Sequence, residues 1–263
     1  MFEFVFDLPL WFSGPAIVAV LCIFGVAGLA LVRKRLLTRL EISVEDSEFS
    51  GAMLQSVMVF YGLAVALIAV NVSETYADTA KIVSGEAISL GSLYRDVSTY
   101  PEPIRAGLQQ DLREYTEQVI ERAWPMQRHG LVPTEGVDMM NRFQVRLAAF
   151  EPATEGQKLL HAETLRAYNV MIQARRMRVD AVGTGLPTVM WIVVVLGAFI
   201  ALSSTFFFHV ADQRLHRILV ALLATFIGLV VFMVVALDRP FRGDLSLGAG
   251  PYQLIYDQLM HPN

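Results

Sequence analysis

Four stretches of this chain contain no Asp, Glu, Lys or Arg: residues 8–32, 49–73, 181–211 and 218–237. Each is near or above the ~20 residues with which a helix crosses ~30 Å of hydrocarbon. A charge at the bilayer centre costs roughly 2.5–3.5 kcal/mol on the insertion scale, so long uncharged windows are the signature of segments selected to lie in lipid. The windows come as two pairs around a charged middle. They predict an all-α membrane protein with four transmembrane helices in two pairs and a helical extramembrane domain between spans 2 and 3. The expected boundaries are 1–73 for an N-terminal tail and spans 1 and 2 (about 14–32 and 52–73), 74–182 for the helical domain, and 183–263 for spans 3 and 4 (about 187–208 and 218–237) with a C-terminal tail.

Composition agrees with this division. The 263 residues are 54% hydrophobic and 17% charged, with a mean hydropathy of +0.48, on the membrane side of globular usage. A net charge of -4 gives no basic footprint for nucleic acid. The single Cys22 falls in the first apolar window, where it reads as a small packing residue and can form no internal disulfide.

The first window is an anchor and not a cleaved signal peptide, because Glu3 and Asp7 precede it and Arg33, Lys34, Arg35 and Arg39 follow it. By the positive-inside rule the loop from Arg33 to Ser50 faces the cytosol, as does the short loop carrying Arg214 and Arg217. The same count puts the N-terminus, the middle domain and the tail outside. The expected location is a bacterial inner membrane, as a multi-pass protein in contact with membrane lipids.

From Glu74 to Asp180 the apolar periodicity is helical throughout, without period-two alternation or an Asn-Gly hairpin signal. Ile82, Glu86, Leu90, Leu93, Tyr94 and Val97 form one stripe that continues from span 2, so one long helix leaves the membrane and ends before Pro101 and Pro103. A second stripe, Ile104, Leu108, Leu112, Tyr115, Val119 and Ala123, predicts a helix stopping at Trp124 and Pro125. Thr134 is placed to cap a third helix reaching Phe150. Thr154 with Gln157 fits a capping box for a fourth, which carries Leu159, Leu160, Ala167, Val170, Met171 and Ala174 and runs to Val182. Within the spans, Gly62 with Ala66, Gly197 with Ala201, and Ala224 with Gly228 are small residues four apart that permit close helix approach.

Leu186, Pro187 and Trp191 at the start of span 3, and the segment Leu237-Asp238-Arg239-Pro240-Phe241-Arg242-Gly243 after span 4, resemble the bestrophin-like domain family of four-span membrane proteins. Glu86 to Tyr94, Tyr115 to Pro125 and Arg175 to Arg178 are similar to it as well. The family signature residues here are Pro187, Trp191, Asp238, Pro240, Phe241 and Gly243. What the resemblance implies is a homo-oligomer, a pentamer as in bestrophins, with an anion pore along its axis that the helical domain extends. It also implies a cytosolic helical domain, opposite to the charge count above.

If one helix lines a pore, span 2 is the candidate, because it passes straight into the polar domain. At 100° per residue, Phe60, Ala64, Leu67, Asn71, Glu74 and Asp78 fall close to one line. The first three would form an apolar band that gates by dewetting, and the last three polar and acidic rings at one mouth. Such carboxylate rings favour cations, so the sign of selectivity stays open between residues and resemblance. The bland alternative is that these side chains pack in the bundle or solvate a helix end.

Asp238 is placed to pair with Arg239 or Arg242 across a kink at Pro240. Arg175, Arg176 and Arg178 read as headgroup anchors beside the membrane. His129, His161, His209, His216 and His261 lack metal-ligand spacing and read as surface residues, and no nucleophile elbow, P-loop or dinucleotide motif occurs. The sequence therefore points to an ion channel without cofactor, metal or catalytic residues. A membrane-anchored sensor or scaffold, whose helical domain binds a partner without ion conduction, is the alternative.

Overall fold

The computed structural model of the chain describes residues 9–35, 44–208, 210 and 212–261, with the backbone alone at 44–50. Glu3, Asp7, Arg39 and His209 lie outside the described residues. All regular structure among the described residues is helical: α1 (Leu10–Arg35), α2 (Val44–Val97), α3 (Ile104–Gln118), α4 (Trp124–Gln127), α5 (Glu135–Ala148), α6 (Glu155–Ala181), α7 (Thr188–Ser204), α8 (Gln213–Asp238) and α9 (Gly250–Ile255). Single π turns at Val119–Ala123 and Tyr256–Met260 and a 3-10 turn at Thr205–Phe207 extend three of them. Four helices are long and apolar enough to cross a membrane: Leu10–Arg35, Gly51–Val97, Thr188–Phe207 and Gln213–Asp238. The chain divides into two compact units, Met1–Thr75 with Gly185–Arg239, and Tyr76–Thr184 with Pro240–Asn263.

In the first unit α1 lies along α8, and small residues set how closely. A Cβ on Gly228 would come within 3.0 Å of the Val18 Cα, a backbone atom that cannot swing aside. The core contains Leu21, Val194, Ala198, Ala201, Leu202, Ala224 and Ile227. Phe24 and Phe199 meet edge to face with ring centroids 4.7 Å apart, a favourable aromatic geometry. Cys22 is a free thiol 3.4 Å from the Thr225 hydroxyl. Of the three small-residue pairs, Ala224 and Gly228 thus serve the α1–α8 contact. Gly197 receives the Tyr61 ring, whose hydroxyl donates to the Val194 carbonyl at 3.1 Å. Gly62 meets nothing within 4 Å. Substituting Gly228 by Val is expected to overpack the contact and cost about 1–3 kcal/mol, read as a lowered melting temperature in detergent; Gly62→Val should leave it unchanged.

The second unit is built on the apolar stripes of α2 and α3. Leu90, Leu93 and Val97 of α2 and Leu108, Leu112 and Tyr115 of α3 are fully enclosed, together with Phe143, Leu147 and Met171. The Thr154 side chain accepts the Gln157 N–H at 3.2 Å, and the Gln157 side chain accepts the Thr154 N–H at 3.3 Å. This reciprocal cap starts α6 where the sequence places it, and the helix ends at Ala181. Thr134 stands at the N-cap of α5 without a side-chain cap bond.

Several local expectations are corrected. The stretch 44–50, read as loop, is the first part of α2. The helix before Trp124 does not stop there: the π turn at Val119–Ala123 widens the coil so that Pro125 fits into one further turn. Leu159 and Val170 are exposed, and Thr164, Tyr168 and Arg178 hold the inner face of α6 instead. The buried stripe of α6 begins past Leu160 and drifts around the helix over its 27 residues. Residues of the C-terminal segment, Phe241, Tyr252 and Met260, belong to the core of the second unit.

Candidate functional site

The membrane part of α2 turns a narrow face inward. Val65 and Val72 are each 3% exposed and pack within the first unit, whereas Phe60 is 72% and Leu67 64% exposed. Ala64 is half-buried, and Asn71, Glu74 and Asp78 are exposed. The predicted stripe therefore lies on the side of α2 away from its contacts within the chain. Asp78 belongs to the second unit and forms a 2.8 Å ion pair with Lys81, so the outermost predicted carboxylate is locally matched by a cation.

Inside the second unit a charged cluster replaces part of the apolar core. Arg178 of α6 is 2% exposed and Glu86 of α2 is fully enclosed. The guanidinium donates Nε to Glu86 Oε2 at 2.6 Å, Nη2 to Oε1 at 3.3 Å, and Nη1 to the Gln127 side-chain oxygen at 2.7 Å. The Tyr115 hydroxyl donates to Glu86 Oε1 at 2.7 Å. Arg178 also lies 5.8 Å from the Trp124 ring centroid and 5.7 Å from that of Tyr252, within cation–π range. Burial is the largest single influence and opposes the guanidinium charge, but the Glu86 carboxylate together with Tyr252 and Tyr115 more than offsets it, so the Arg178 pKa is raised. Burial, and then the negative charge of Glu86, push the Tyr115 and Tyr252 phenols up. All three groups thus keep their protons near neutral pH.

This cluster corrects the reading of Arg178 as a headgroup anchor. Its charge is held by a bidentate carboxylate, which leaves nothing for a lipid phosphate. In the sequence Glu86 falls within an apolar stripe, and a lone carboxylate on such a stripe signals that a buried cation faces it. Nothing comparable marked Gln127 or Tyr252. Of the histidines, His216 is buried and donates to the Thr205 carbonyl at 3.1 Å, against the expectation of a surface position. His161 Nδ1 pairs with the Tyr100 hydroxyl at 2.8 Å.

The signature residues fall into two local structures. In the first unit Asp238, at the end of α8, is buried; it accepts the Leu186 N–H at 2.5 Å and the Trp191 Nε1–H at 3.3 Å, with Arg239 Nε at 3.8 Å. Pro187 stands at the N-cap of α7 with no side-chain cap bond. Asp238 therefore ties the entry of α7 to the exit of α8, and the two N–H donors, more than the anticipated arginine, satisfy it. In the second unit Gly243 has φ +79°, a region that favours glycine. The turn it permits closes with the Leu247 N–H on the Pro240 carbonyl at 2.8 Å. Phe241 is enclosed against Trp124, whose indole donates to the Leu247 carbonyl at 2.9 Å. Asp238→Ala is expected to leave the Leu186 N–H without its acceptor and cost about 1–3 kcal/mol. A melting curve in detergent checks this, with Asp238→Asn, which retains an acceptor oxygen, losing less.

The signature geometry agrees with the sequence comparison, in which the bestrophin-like domain profile matches residues 19–252. The chain belongs to the bestrophin-like domain family. It is an integral membrane protein of the bestrophin type. The bestrophin-like fold is also similar to the solved structure described as "Crystal structure of a membrane protein L259A", with a TM-score of 0.66 at 10% identity over 90% of this chain and 94% of that one. At that identity the likeness is one of fold. A search of curated proteins finds no match to this bestrophin-like chain. Among the described residues no three His, Cys, Asp or Glu side chains gather as a metal site.

Proposed function

We propose that the chain is the protomer of a homo-oligomeric ion channel whose pore is lined by α2. The observation that carries this reading is the apolar stretch of α2: only 6% of it is buried, against 39% for that of α8. Its outward line of Phe60, Ala64, Leu67, Asn71 and Glu74 grades from apolar to acidic along one helix. Such a line around an axis makes a hydrophobic constriction followed by a polar mouth. Family membership points to channels more than to enzymes, supports a pentamer, and favours anions over the cations that the Glu74 ring would select. The charge distribution favours an N-terminus outside, with residues 74–182 as a domain beyond the membrane. Symmetric contacts around a closed ring would cover the α2 faces that one protomer leaves open.

The test is ion flux from liposomes holding the purified protein, beside single-particle images that count protomers. Halide flux through a ring with a central hole is the expected result. A lone protomer, or a ring that passes neither halide nor alkali ions, overturns the proposal.

A further inference from the structure

Between α2 and α8 the first unit contains a cavity of about 480 Å³, lined on one side by α2 from Leu54 to Ala66 and on the other by α8 from Leu223 to Val230. Both stretches fall inside charge-free windows, 49–73 and 218–237, so the cavity lies at the depth of membrane hydrocarbon. Its volume is within the range of about 300–1,000 Å³ that ligand sites occupy. The lining side chains are apolar apart from the Tyr61 hydroxyl, which already donates to the Val194 carbonyl at 3.1 Å. Gly62 keeps the space open on the α2 side, since a Cβ there would meet nothing within 4 Å. Val65 and Ile227, one from each helix, are 3% and 5% exposed and make firm parts of the two walls.

The lining decides what fills this space. An ordered water needs two to four polar partners, and the side chains of the described lining residues leave none to spare. An empty void would deprive the lining atoms of dispersion contacts that a hydrocarbon supplies. A second copy meeting α2 along Phe60, Ala64 and Leu67 would stand on the wrong side, because at 100° per residue Leu54, Met58, Gly62 and Val65 lie on the opposite side of the helix. What a bilayer offers at this depth is acyl chain, which asks for no hydrogen bond and packs against Met, Leu, Ile and Val side chains as they pack against each other.

We infer that this cavity is a binding site for one acyl chain of a membrane lipid, held between α2 and α8 of the same chain and indifferent to the headgroup. The inference concerns α2 and α8 alone and holds whether or not the protein conducts ions.

The experiment uses the full-length protein in detergent micelles containing a rising mole fraction of phosphatidylcholine with a diazirine midway along one acyl chain, or of phosphatidylglycerol with the same chain. After photolysis the labelled residues are mapped by mass spectrometry. Labelling of Met58 and Leu223 should saturate, equally with either headgroup. Leu196 and Ile200, exposed apolar side chains of α7 outside the lining, should be labelled in proportion to the mole fraction, as a surface in contact with bulk lipid is. Gly62→Phe, which puts a ring into the space, should lose the saturable labelling of Met58 and Leu223 and keep that of Leu196 and Ile200. Proportional labelling at all four positions, no labelling of Met58 and Leu223, or saturation that survives in Gly62→Phe overturns the site. Saturation with one headgroup and not the other overturns the assignment to the acyl chain. If Gly62→Phe fails to fold, the saturation curves of the parent protein with the two lipids still decide between these outcomes.

Discussion

Replacing Arg178 with Met is expected to destabilise the second unit by about 3–5 kcal/mol, the cost of leaving one member of a buried ion pair without its partner. Glu86 would keep the Tyr115 hydroxyl, but lose both guanidinium bonds, at 2.6 and 3.3 Å, in a site without access to water. Glu86→Gln should cost less than Arg178→Met, because a neutral amide needs less compensation than a carboxylate, yet it strands the guanidinium charge. The double replacement Glu86→Leu, Arg178→Met removes both charges and should recover much of the single-variant loss. Thermal unfolding in detergent, followed by the intrinsic fluorescence of Trp124 beside the cluster, measures all three. A change of less than about 1 kcal/mol in Arg178→Met would show that the cluster contributes little to holding α2, α3, α4 and α6 together.

Truncating Leu67 to Ala is expected to raise ion flux about tenfold or more, which needs only about 1.4 kcal/mol off the barrier. In the proposed ring α2 lines the pathway. Leu67 is exposed on the outward side of α2, so its truncation removes apolar surface from the pathway and not from the protomer's core. Each copy around the axis contributes the same change, which lets water persist in a constriction that otherwise dries. Val65→Ala, on the inward side of the same helix, should instead reduce stability and leave the flux per folded channel unchanged. Liposome flux normalised to folded protein separates the two. Equal flux in the parent and Leu67→Ala would remove Leu67 from the pathway.

The helices were legible in the sequence because lipid and caps leave strong marks. Charge-free windows follow from the cost of burying ions, and the Thr154 and Gln157 pair sets the start of α6 by two hydrogen bonds visible from spacing alone. The stripe Leu108, Leu112, Tyr115 gave the core face of α3 because its period is regular. What stayed hidden depended on residues far apart in the chain. Arg178 and Glu86 are separated by 92 positions, and no local rule distinguishes an arginine that meets a carboxylate from one that meets water. Pro125 misled in the other direction, because a single π turn changes which carbonyl the proline ring would strike. The α2 line from Phe60 to Asp78 could be drawn from periodicity, but only the packing of Val65 and Val72 assigns that line to the outward side.

Tyr252 and Met260 stand in the same enclosed core as Leu90 and Leu112, and this imposes an order on biosynthesis. The ribosome completes residues 76–184 well before it reaches 252, and α7 and α8 must be threaded into lipid in between. Until then Arg178 lacks one of its two aromatic walls, and the half-made core keeps an open seam for chaperones or proteases to find. The core of the helical unit is therefore complete only after both later spans have been made.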